Sequence, residues 1–347
     1  MEQVEGICEG EGGMSSIFVV AEAGVNHNGN LKTALDLVDA AKNSGADAVK
    51  FQLFDPSEQI SINSPTATYQ RQATGENSML QMAKGYDLPW NAHIEIAEYC
   101  SEIGIMYMSS CFDVNAIDFY QQIGGKILKI ASGEITNTDL LVYAAKTNLP
   151  IILSTGMSTL PEIGFATELI LKNSSAQLTL LHCVSRYPTP IHALNLNFIN
   201  TLKSTFNLPI GLSDHSQHQS VGGWAVNHGA VVIEKHFTLD KASFGPDHAM
   251  SCSPNELKEY IKEIRDAGIA LGTFDKVLTN EELEVRDIAR RSIVASKNLA
   301  KGTIISADHL DLKRPGNGMN PSMRSSLVGK KLKRDLKVDD QISLSDF

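Results

Sequence analysis

The chain alternates eight short, strongly apolar runs with segments of helical length, and this alternation constrains its fold more than any other feature. The runs cover residues 17–24, 48–54, 105–112, 127–132, 150–155, 178–184, 209–215 and 230–237. Several helical segments end in a glycine, as helices often do. Nearly continuous apolar runs are typical of parallel strands covered by helices on both faces. Eight such units predict an α/β fold of the (β/α)8 TIM-barrel type.

A doubly wound parallel sheet is the alternative architecture for this alternation. In its dinucleotide-binding version, a glycine-rich GxGxxG loop follows the first strand. The first run continues here into AEAGVNHNG, residues 21–29, which does not match that pattern. The barrel is therefore preferred, and the doubly wound sheet stays open as the alternative.

Polar residues stand at the C-terminal end of nearly every run. In a TIM barrel these ends converge on one face, where the active sites of this fold are built. The residues are Glu22, Lys50, Gln52, Ser109, Lys129, Ser132, Glu134, Ser154, Ser185, Ser213, His215, Glu234, Lys235 and His236. One such residue alone is more often a rim residue or a paired structural charge. Their coincidence over most of the runs predicts a functional site.

The lysines and serines of this set suit a small, multiply charged anion. Lys50 and Lys129 supply ammonium donors, and Ser132, Ser154 and Ser213 supply hydroxyl donors. Together they could bind a phosphate and a carboxylate of the same substrate.

Two histidines at the ends of neighbouring strands indicate a metal site. His215 and His236 end the seventh and eighth runs. Each alone is more often a hydrogen-bonded structural residue. As a pair they could share one metal ion whose other positions stay open to water or substrate. Glu22 and Asp247 add carboxylates that could complete the ligand shell or act as general acid or base.

Composition and charge exclude several classes of protein. No run approaches the roughly 20 apolar residues of a membrane-spanning helix, and the N-terminus lacks the pattern of a secretory signal, so we expect a cytoplasmic protein. Residues 290–347 hold 12 Lys or Arg against 6 Asp or Glu, whereas the remainder holds 18 against 34. This basic tail lacks interleaved aromatic residues, which argues against nucleic acid as a partner. It fits a small module that docks on an acidic barrel.

Nine segments make the chain resemble the sialic acid synthase family, namely the bacterial N-acetylneuraminate synthases and their legionaminic and pseudaminic acid relatives. They are AEAGVNHNG (21–29), AVKFQ (48–52), LKIASGE (128–134), ILSTGMS (152–158), HCVSRYPTP (182–190), GLSDHS (211–216), EKHFTLD (234–240), GPDHAMS (245–251) and KRPGNG (313–318). The resemblance implies a TIM-barrel synthase domain over 17–280, a linker over 281–289 and a C-terminal antifreeze-like (SAF) domain over 290–347. Residues 1–16 would form a leader without fixed structure.

The resemblance also implies a role for each site residue. Phosphoenolpyruvate would be bound by Lys50, Gln52, Lys129, Ser132, Ser154 and Ser213, with Ser185 nearby where relatives often carry asparagine. A divalent ion, manganese or magnesium, would be bound by His215 and His236. The acceptor sugar would be oriented by Glu134, Tyr187, Asp247 and Arg314, and Glu22 would lie near the reacting carbons. Arg314 would reach the barrel of the other subunit in a domain-swapped homodimer.

The reaction implied is the condensation of phosphoenolpyruvate with an N-acylated hexosamine and water, which gives a nine-carbon sialic-acid-type sugar and phosphate. N-acetylneuraminate synthase, acting on N-acetylmannosamine, is the first prediction. A legionaminic or pseudaminic acid synthase, acting on a 6-deoxy-diamino analogue, is the alternative. A metal-dependent aldolase, or a synthase of an eight-carbon acid, would not need the SAF domain. A non-enzymatic carbohydrate-binding scaffold would leave the lysines and histidines without a purpose.

Overall fold

The computed structural model describes residues 17–347. The chain divides into two compact units, Met1–Gly272 and Thr273–Phe347. The leader predicted for residues 1–16 lies outside the described residues. The first unit contains all eight predicted strands, and the second contains the segment predicted as a SAF domain.

Eight parallel strands close into a barrel in the first unit. They are β1 (Phe18–Gly24), β2 (Ala48–Leu53), β3 (Met106–Cys111), β4 (Leu128–Ile130), β5 (Ile151–Ser154), β6 (Leu178–Cys183), β7 (Ile210–Asp214) and β8 (Val232–His236). Each lies within one predicted run and pairs with the next strand in sequence, and β8 pairs with β1. This closure confirms the TIM-barrel prediction and excludes the doubly wound sheet, which is open.

Helices connect the strands, and most of them pack on the outside of the barrel. They are α1 (Leu31–Ser44), α2 (Pro56–Gln59), α3 (Thr68–Thr74), α4 (Met79–Tyr86), α5 (Trp90–Ile103), α6 (Val114–Gln122), α7 (Thr138–Lys146), α8 (Leu160–Asn173), α9 (Asn197–Phe206), α10 (Val221–Asn227) and α11 (Pro254–Leu271). Gly45 and Gly104 end α1 and α5 with φ of 87° and 72°, which favour glycine. No helix within residues 17–347 combines the length and the apolar character needed to cross a bilayer.

Side chains fill the barrel interior in layers, because alternate residues of a strand point to the same side. The lower layer is apolar and consists of Val20, Ala48, Met108, Ile127, Ile152, Leu181 and Val232. Two residues further along the strands the interior becomes polar, with Glu22 in register with Lys50 and Ser213 in register with Glu234. The apolar layer therefore closes the barrel beneath polar groups at its C-terminal end.

The second unit has a small core of its own. Its regular elements are α12 (Asn280–Ala289), β9 (Ser292–Ala295), β10 (Leu310–Lys313) and α13 (Arg324–Leu327), and β9 pairs with β10 in antiparallel orientation. The core consists of Ile293, Ala295, Leu299, Ile305, Leu310, Leu327, Leu332, Leu336 and Ile342. The residues predicted as a linker, 281–289, lie in helix α12, so this connection is helical.

Candidate active site

A cavity of about 410 Å³ opens at the C-terminal ends of the barrel strands. Eleven of the fourteen predicted site residues line it. They are Glu22, Lys50, Gln52, Lys129, Ser132, Ser154, Ser185, Tyr187, Ser213, His215 and His236. Closure of the barrel thus brings together side chains that are more than 200 positions apart in sequence. We refer to this space as the lysine cavity.

Two lysines and two glutamates form a buried network in the lysine cavity. Lys50 Nζ lies 2.8 Å from Glu22 Oε2 and 3.5 Å from Glu234 Oε2, and Lys129 Nζ lies 3.8 Å from the same Glu234 oxygen. Ser213 Oγ donates to Glu234 Oε1 at 2.8 Å. None of these five side chains belongs to a residue more than 5% exposed. Glu234 is the centre of the network, because it lies against both lysines.

The two glutamates differ in their protonation. Burial raises the pKa of Glu22 to about 7, although the Lys50 ammonium opposes this rise. Burial also acts to raise the pKa of Glu234, but the Lys129 and Lys50 ammonium groups outweigh it and lower that pKa to about 2. Glu22 can therefore exchange a proton near neutral pH, whereas Glu234 stays a carboxylate.

The two lysines differ as well. Burial lowers the pKa of a lysine, but at Lys50 the Glu22 and Glu234 carboxylates more than offset it and raise the pKa. At Lys129 burial is the stronger effect, so the pKa is lowered despite Glu234. With Glu22 protonated part of the time, positive charge exceeds negative charge in the network. The cavity therefore favours an anion.

Serine hydroxyls surround a glycine in the loop after β5. Gly156 N donates to Ser132 Oγ at 2.9 Å, and a Cβ on this glycine would lie 2.8 Å from Ser132 Oγ and collide with Ser185 Oγ. The buried Ser154 Oγ has no hydrogen-bond partner among the described residues. Because buried polar atoms are rarely left without a partner, Ser154 is available to bind a ligand in the cavity.

His215 and His236 lie side by side, with 5.5 Å between their ring centroids. His215 Nδ1 lies 2.9 Å from the carbonyl oxygen of Val184. A carbonyl can only accept, so Nδ1 carries the proton and Nε2 keeps a lone pair in the neutral ring. Burial, reinforced by His215, lowers the pKa of His236 well below its usual range. His236 Nδ1 is buried and has no partner within residues 17–347.

This pair fits a divalent ion with open coordination positions. Each ring offers a nitrogen lone pair, and the Val184 carbonyl orients His215 as partners of metal-bound histidines commonly do. Burial disfavours charge on His215, but Cys183 and the Val184 carbonyl raise its pKa, so an ion would compete with a proton there. In the described part of the chain, no group of three His, Cys, Asp or Glu side chains converges as a ready-made metal site. Water or substrate would have to supply the remaining ligands.

A second cavity of about 210 Å³ adjoins the first, and Gln52, Tyr187 and His236 line both. Asp247 lines the second cavity, where burial raises its pKa to about 6 although His215 opposes the rise. The Tyr187 ring stands 4.1 Å from the His215 ring and stacks on Tyr69 of α3 at 5.1 Å. We refer to this space as the Asp247 cavity.

Glu134 and Arg314 line neither cavity. Glu134 Oε2 instead accepts a hydrogen bond from Asn137 Nδ2 at 2.8 Å. Arg314 belongs to the second unit, where its Nε donates to the carbonyl oxygen of Ala289 at 2.9 Å. The roles of these two residues stay predictions.

Among the other residues that line the lysine cavity, Glu234 belongs to the polar set at the strand ends but received no individual role, whereas Ser110 and Tyr69 were not identified from the sequence. Strand alternation could have identified Ser110, because it stands two positions after the apolar Met108. Tyr69 belongs to the connection between β2 and α5, which has no strand periodicity. Only the folded structure shows where it lies.

The fold and the site define the chain as a TIM-barrel enzyme that carries a SAF domain. The profile of the NeuB family matches residues 37–276, and that of the SAF domain matches residues 290–347. The chain belongs to the NeuB family, and the relatives that it matches include proteins named legionaminic acid, pseudaminic acid and N-acetylneuraminate-9-phosphate synthases.

Three similar proteins show how the chain relates to this family. It is 44% identical over 330 residues to the N,N'-diacetyllegionaminic acid synthase of Legionella pneumophila, covering 94% of this chain and 93% of that protein. It is 35% identical over 333 residues to a pseudaminic acid synthase of Campylobacter jejuni, covering 95% and 96%. The solved N-acetylneuraminic acid synthetase of Leptospira borgpetersenii, in complex with citrate, has a TM-score of 0.70 and 34% identity, covering 78% and 90%. These names support an enzyme and give no support to a non-enzymatic scaffold.

Proposed function

We propose that this chain condenses phosphoenolpyruvate with an open-chain, N-acylated 6-deoxy-diamino hexose to form a legionaminic-type nine-carbon acid. The observation that carries the proposal is the pair of adjoining cavities, one cationic and one largely apolar, which share seven lining residues, among them Gln52, Tyr187 and His236. Greater similarity to the relative named a legionaminic acid synthase favours this acceptor over N-acetylmannosamine, the acceptor first predicted.

The lysine cavity suits phosphoenolpyruvate. Lys50 and Lys129 offer charge-assisted hydrogen bonds to a phosphate or a carboxylate, and Ser154 Oγ is a hydroxyl still in need of a partner. The Ser132 hydroxyl, which accepts from the Gly156 amide and keeps its own proton to donate, brings a further donor to the same cavity. A doubly anionic enol ester would replace the interactions that these ammonium groups otherwise make with Glu22 and Glu234.

The Asp247 cavity suits the acceptor. Its apolar lining consists of Val25, Phe54, Ile60, Met79, Met82, Ala83 and Phe112. A 6-deoxy-diacetamido sugar presents a C6 methyl and two acetyl methyls that can bury apolar surface here. N-acetylmannosamine would instead place its C6 hydroxyl in this environment, and burying a hydroxyl without a partner costs about 1–3 kcal/mol. Asp247 and the Tyr86 hydroxyl remain for the sugar hydroxyls and amides.

The chemistry requires one new carbon–carbon bond and the loss of phosphate. C3 of phosphoenolpyruvate attacks the aldehyde carbon, whose oxygen takes up a proton, and water adds at C2. Cleavage of the bond between C2 and the phosphate oxygen then leaves a ketone at C2, so that the two protons of the water end on the new hydroxyl and on the released phosphate. Glu22 would accept the proton that this water gives up, because its pKa of about 7 suits a general base. Manganese or magnesium, held by His215 and His236, would supply polarisation of the aldehyde oxygen. Holding the two substrates in fixed positions in the adjoining cavities would supply the rest of the rate enhancement.

Phosphate release from phosphoenolpyruvate tests the proposal. With manganese present, we expect release to depend on the sugar and to be at least about tenfold more efficient with 2,4-diacetamido-2,4,6-trideoxymannose than with N-acetylmannosamine. Lys129→Ala serves as the inactive control. Preference for N-acetylmannosamine would overturn the choice of acceptor. Absence of release with every acceptor tried would overturn the proposed reaction.

A further inference from the structure

A buried polar cluster lies on the outer side of β7 and β8, directly behind the two histidines. Lys235 Nζ donates to Asp214 Oδ2 at 2.8 Å and to the carbonyl oxygen of Ser216 at 2.5 Å. Tyr260 of α11 donates to the same Asp214 oxygen at 2.7 Å, and Ser216 N donates to Asp214 Oδ1 at 2.8 Å. All four residues are at most 2% exposed. The cluster is thus closed to solvent and internally hydrogen-bonded.

The cluster holds the backbone on both sides of His215. Asp214 precedes His215 and Ser216 follows it, and the single Lys235 ammonium binds one group from each. Lys235 itself is the residue immediately before His236. Asp214 and Lys235 are also partners in the register of β7 and β8. One ammonium group therefore connects the main-chain positions of the two imidazoles.

The close packing of helices α10 and α11 places Tyr260 in this cluster. A Cβ on Gly222 of α10 would lie 2.8 Å from Tyr260 Cζ and 2.7 Å from Ile264 Cδ1. Glycine at this position therefore lets α11 approach closely enough for the Tyr260 hydroxyl to reach Asp214. The Lys235 ammonium also lies 4.9 Å from the centre of the Tyr260 ring, within the range of a cation–π contact.

We propose that Asp214, Lys235 and Tyr260 are positioning residues that set the spacing of His215 and His236 for a shared divalent ion. The inference rests on the metal site of the proposed function. Alternation along the strands puts the metal ligands and the positioning residues on opposite faces. Residues 213, 215, 234 and 236 point into the barrel, while 214 and 235 point outward. The ligands thus face the cavity, and the groups that hold them face the helices.

A purely stabilising role would not require ions at this place. Replacing a buried ion pair by apolar residues of similar volume is often neutral or stabilising, whereas removing one partner is strongly destabilising. What the ion pair supplies is a set of directional hydrogen bonds from one position of β8 to two positions at the end of β7. A metal site needs such a connection, because its two ligands must keep a fixed separation.

The experiment measures Mn²⁺ affinity of the full-length, chelator-stripped protein by titration calorimetry, together with its thermal unfolding temperature. We expect Lys235→Met to bind Mn²⁺ at least about tenfold more weakly than the wild type and to unfold at a lower temperature. The double variant Asp214→Asn/Lys235→Met removes both charges and keeps an acceptor for Ser216 N. It should regain stability but not affinity. Tyr260→Phe, which loses one hydrogen bond and keeps the ring, should weaken binding by a smaller factor.

The matched control is Arg265→Met on the same helix α11. Arg265 Nη2 lies 2.7 Å from Asp47 Oδ2, and Asp47 immediately precedes β2 at the opposite end of the barrel. This variant should lower the unfolding temperature and leave Mn²⁺ affinity unchanged.

Two results would overturn the inference alone: unchanged affinity in Lys235→Met, or affinity in the double variant that recovers together with stability. If the wild type does not bind Mn²⁺, or if binding survives in His215→Ala, the metal assignment of the proposed function fails and this inference fails with it. The wild-type and His215→Ala titrations therefore distinguish the two failures.

Discussion

At the scale of single residues, the charge state of the lysine cavity depends on Glu234. It lies against Lys50 and Lys129 and accepts a hydrogen bond from Ser213. Burying an ammonium group without a counter-charge costs several kcal/mol, so this carboxylate keeps both lysines charged inside an enclosed space. Burial, with a smaller contribution from the Glu234 carboxylate, raises the pKa of Glu22 to about 7, so Glu22 can exchange a proton near neutral pH.

Replacing Glu234 by Gln tests this role. The amide keeps the size of the side chain and can still accept from Ser213, but it removes the counter-charge of both lysines. We expect kcat/KM for phosphoenolpyruvate to fall by at least about tenfold, because the buried Lys129 then favours its neutral form. Phosphate release with varied phosphoenolpyruvate measures the effect. Glu256→Gln, which removes the half-exposed ion pair with Lys241, is the control and should change the rate little. Equal rates in both variants would contradict the role of Glu234.

At the scale of elements, helix α5 packs on the barrel through a histidine that the fold keeps neutral. His93 is 1% exposed, its Nδ1 lies 2.9 Å from the Tyr107 hydroxyl of β3, and its ring meets Phe51 of β2 edge-on. Burial lowers the pKa of His93 to about 3, and burial also lowers the pKa of the nearby His27 to about 4. Both rings bind a proton far more readily in the unfolded chain.

This difference predicts acid sensitivity of the fold. Since the folded pKa values lie below the unfolded value of about 6.5, the contribution of each neutral histidine is complete above pH 6.5. Each contribution is lost as the pH falls towards the folded pKa, about 4 for His27 and about 3 for His93, and the loss at pH 5 is about 2 kcal/mol per residue. Urea unfolding between pH 7 and pH 5 measures it.

The double variant His93→Phe/Tyr107→Phe removes one of these titrating groups without leaving an unpaired hydroxyl. We expect its free energy of unfolding to fall by about 2 kcal/mol less between pH 7 and pH 5 than that of the wild type. Ile96→Val on the same helix is the matched control, because it costs about 0.5–1.5 kcal/mol at every pH. A pH dependence as steep as that of the wild type would refute the role of His93.

At the scale of the whole molecule, thirteen of the fourteen predicted site residues lie in the first unit and Arg314 lies in the second. Residues 290–347 carry a net positive charge and the rest of the chain carries a net negative charge. The family resemblance predicts that two chains exchange their SAF domains and that each active site uses Arg314 of the partner subunit.

Subunit mixing tests the exchange. Lys129→Ala and Arg314→Ala should each be inactive as homodimers. In a mixed dimer, the barrel with intact Lys129 would receive the tail with intact Arg314, so one site of the two is complete. Random mixing should therefore restore about a quarter of the wild-type rate of phosphate release. Lack of recovery in confirmed mixed dimers would show that Arg314 acts within its own chain, and full activity of Arg314→Ala alone would show that it has no role in the reaction.

The sequence by itself was enough to predict the eight strands, their closure into a barrel and most of the lysine cavity. These features depend on local patterns: apolar runs mark buried strands, and polar residues at their ends must meet on one face once the strands are parallel. Lys50, Lys129, His215 and His236 could be assigned for this reason.

The tertiary structure alone decided which charges meet. Glu22 and Glu234 share the Lys50 ammonium only because β8 closes against β1. Burial in the closed barrel raises the pKa of Glu22, whereas the Lys129 and Lys50 ammonium groups lower that of Glu234. The hydrogen bond from Asn137 to Glu134, the stacking of Tyr69 on Tyr187 and the cluster around Lys235 likewise depend on neighbours distant in sequence or on loop geometry. Periodicity tells which side of a strand a residue faces. The distance and burial that set its chemistry arise only when the whole barrel has closed.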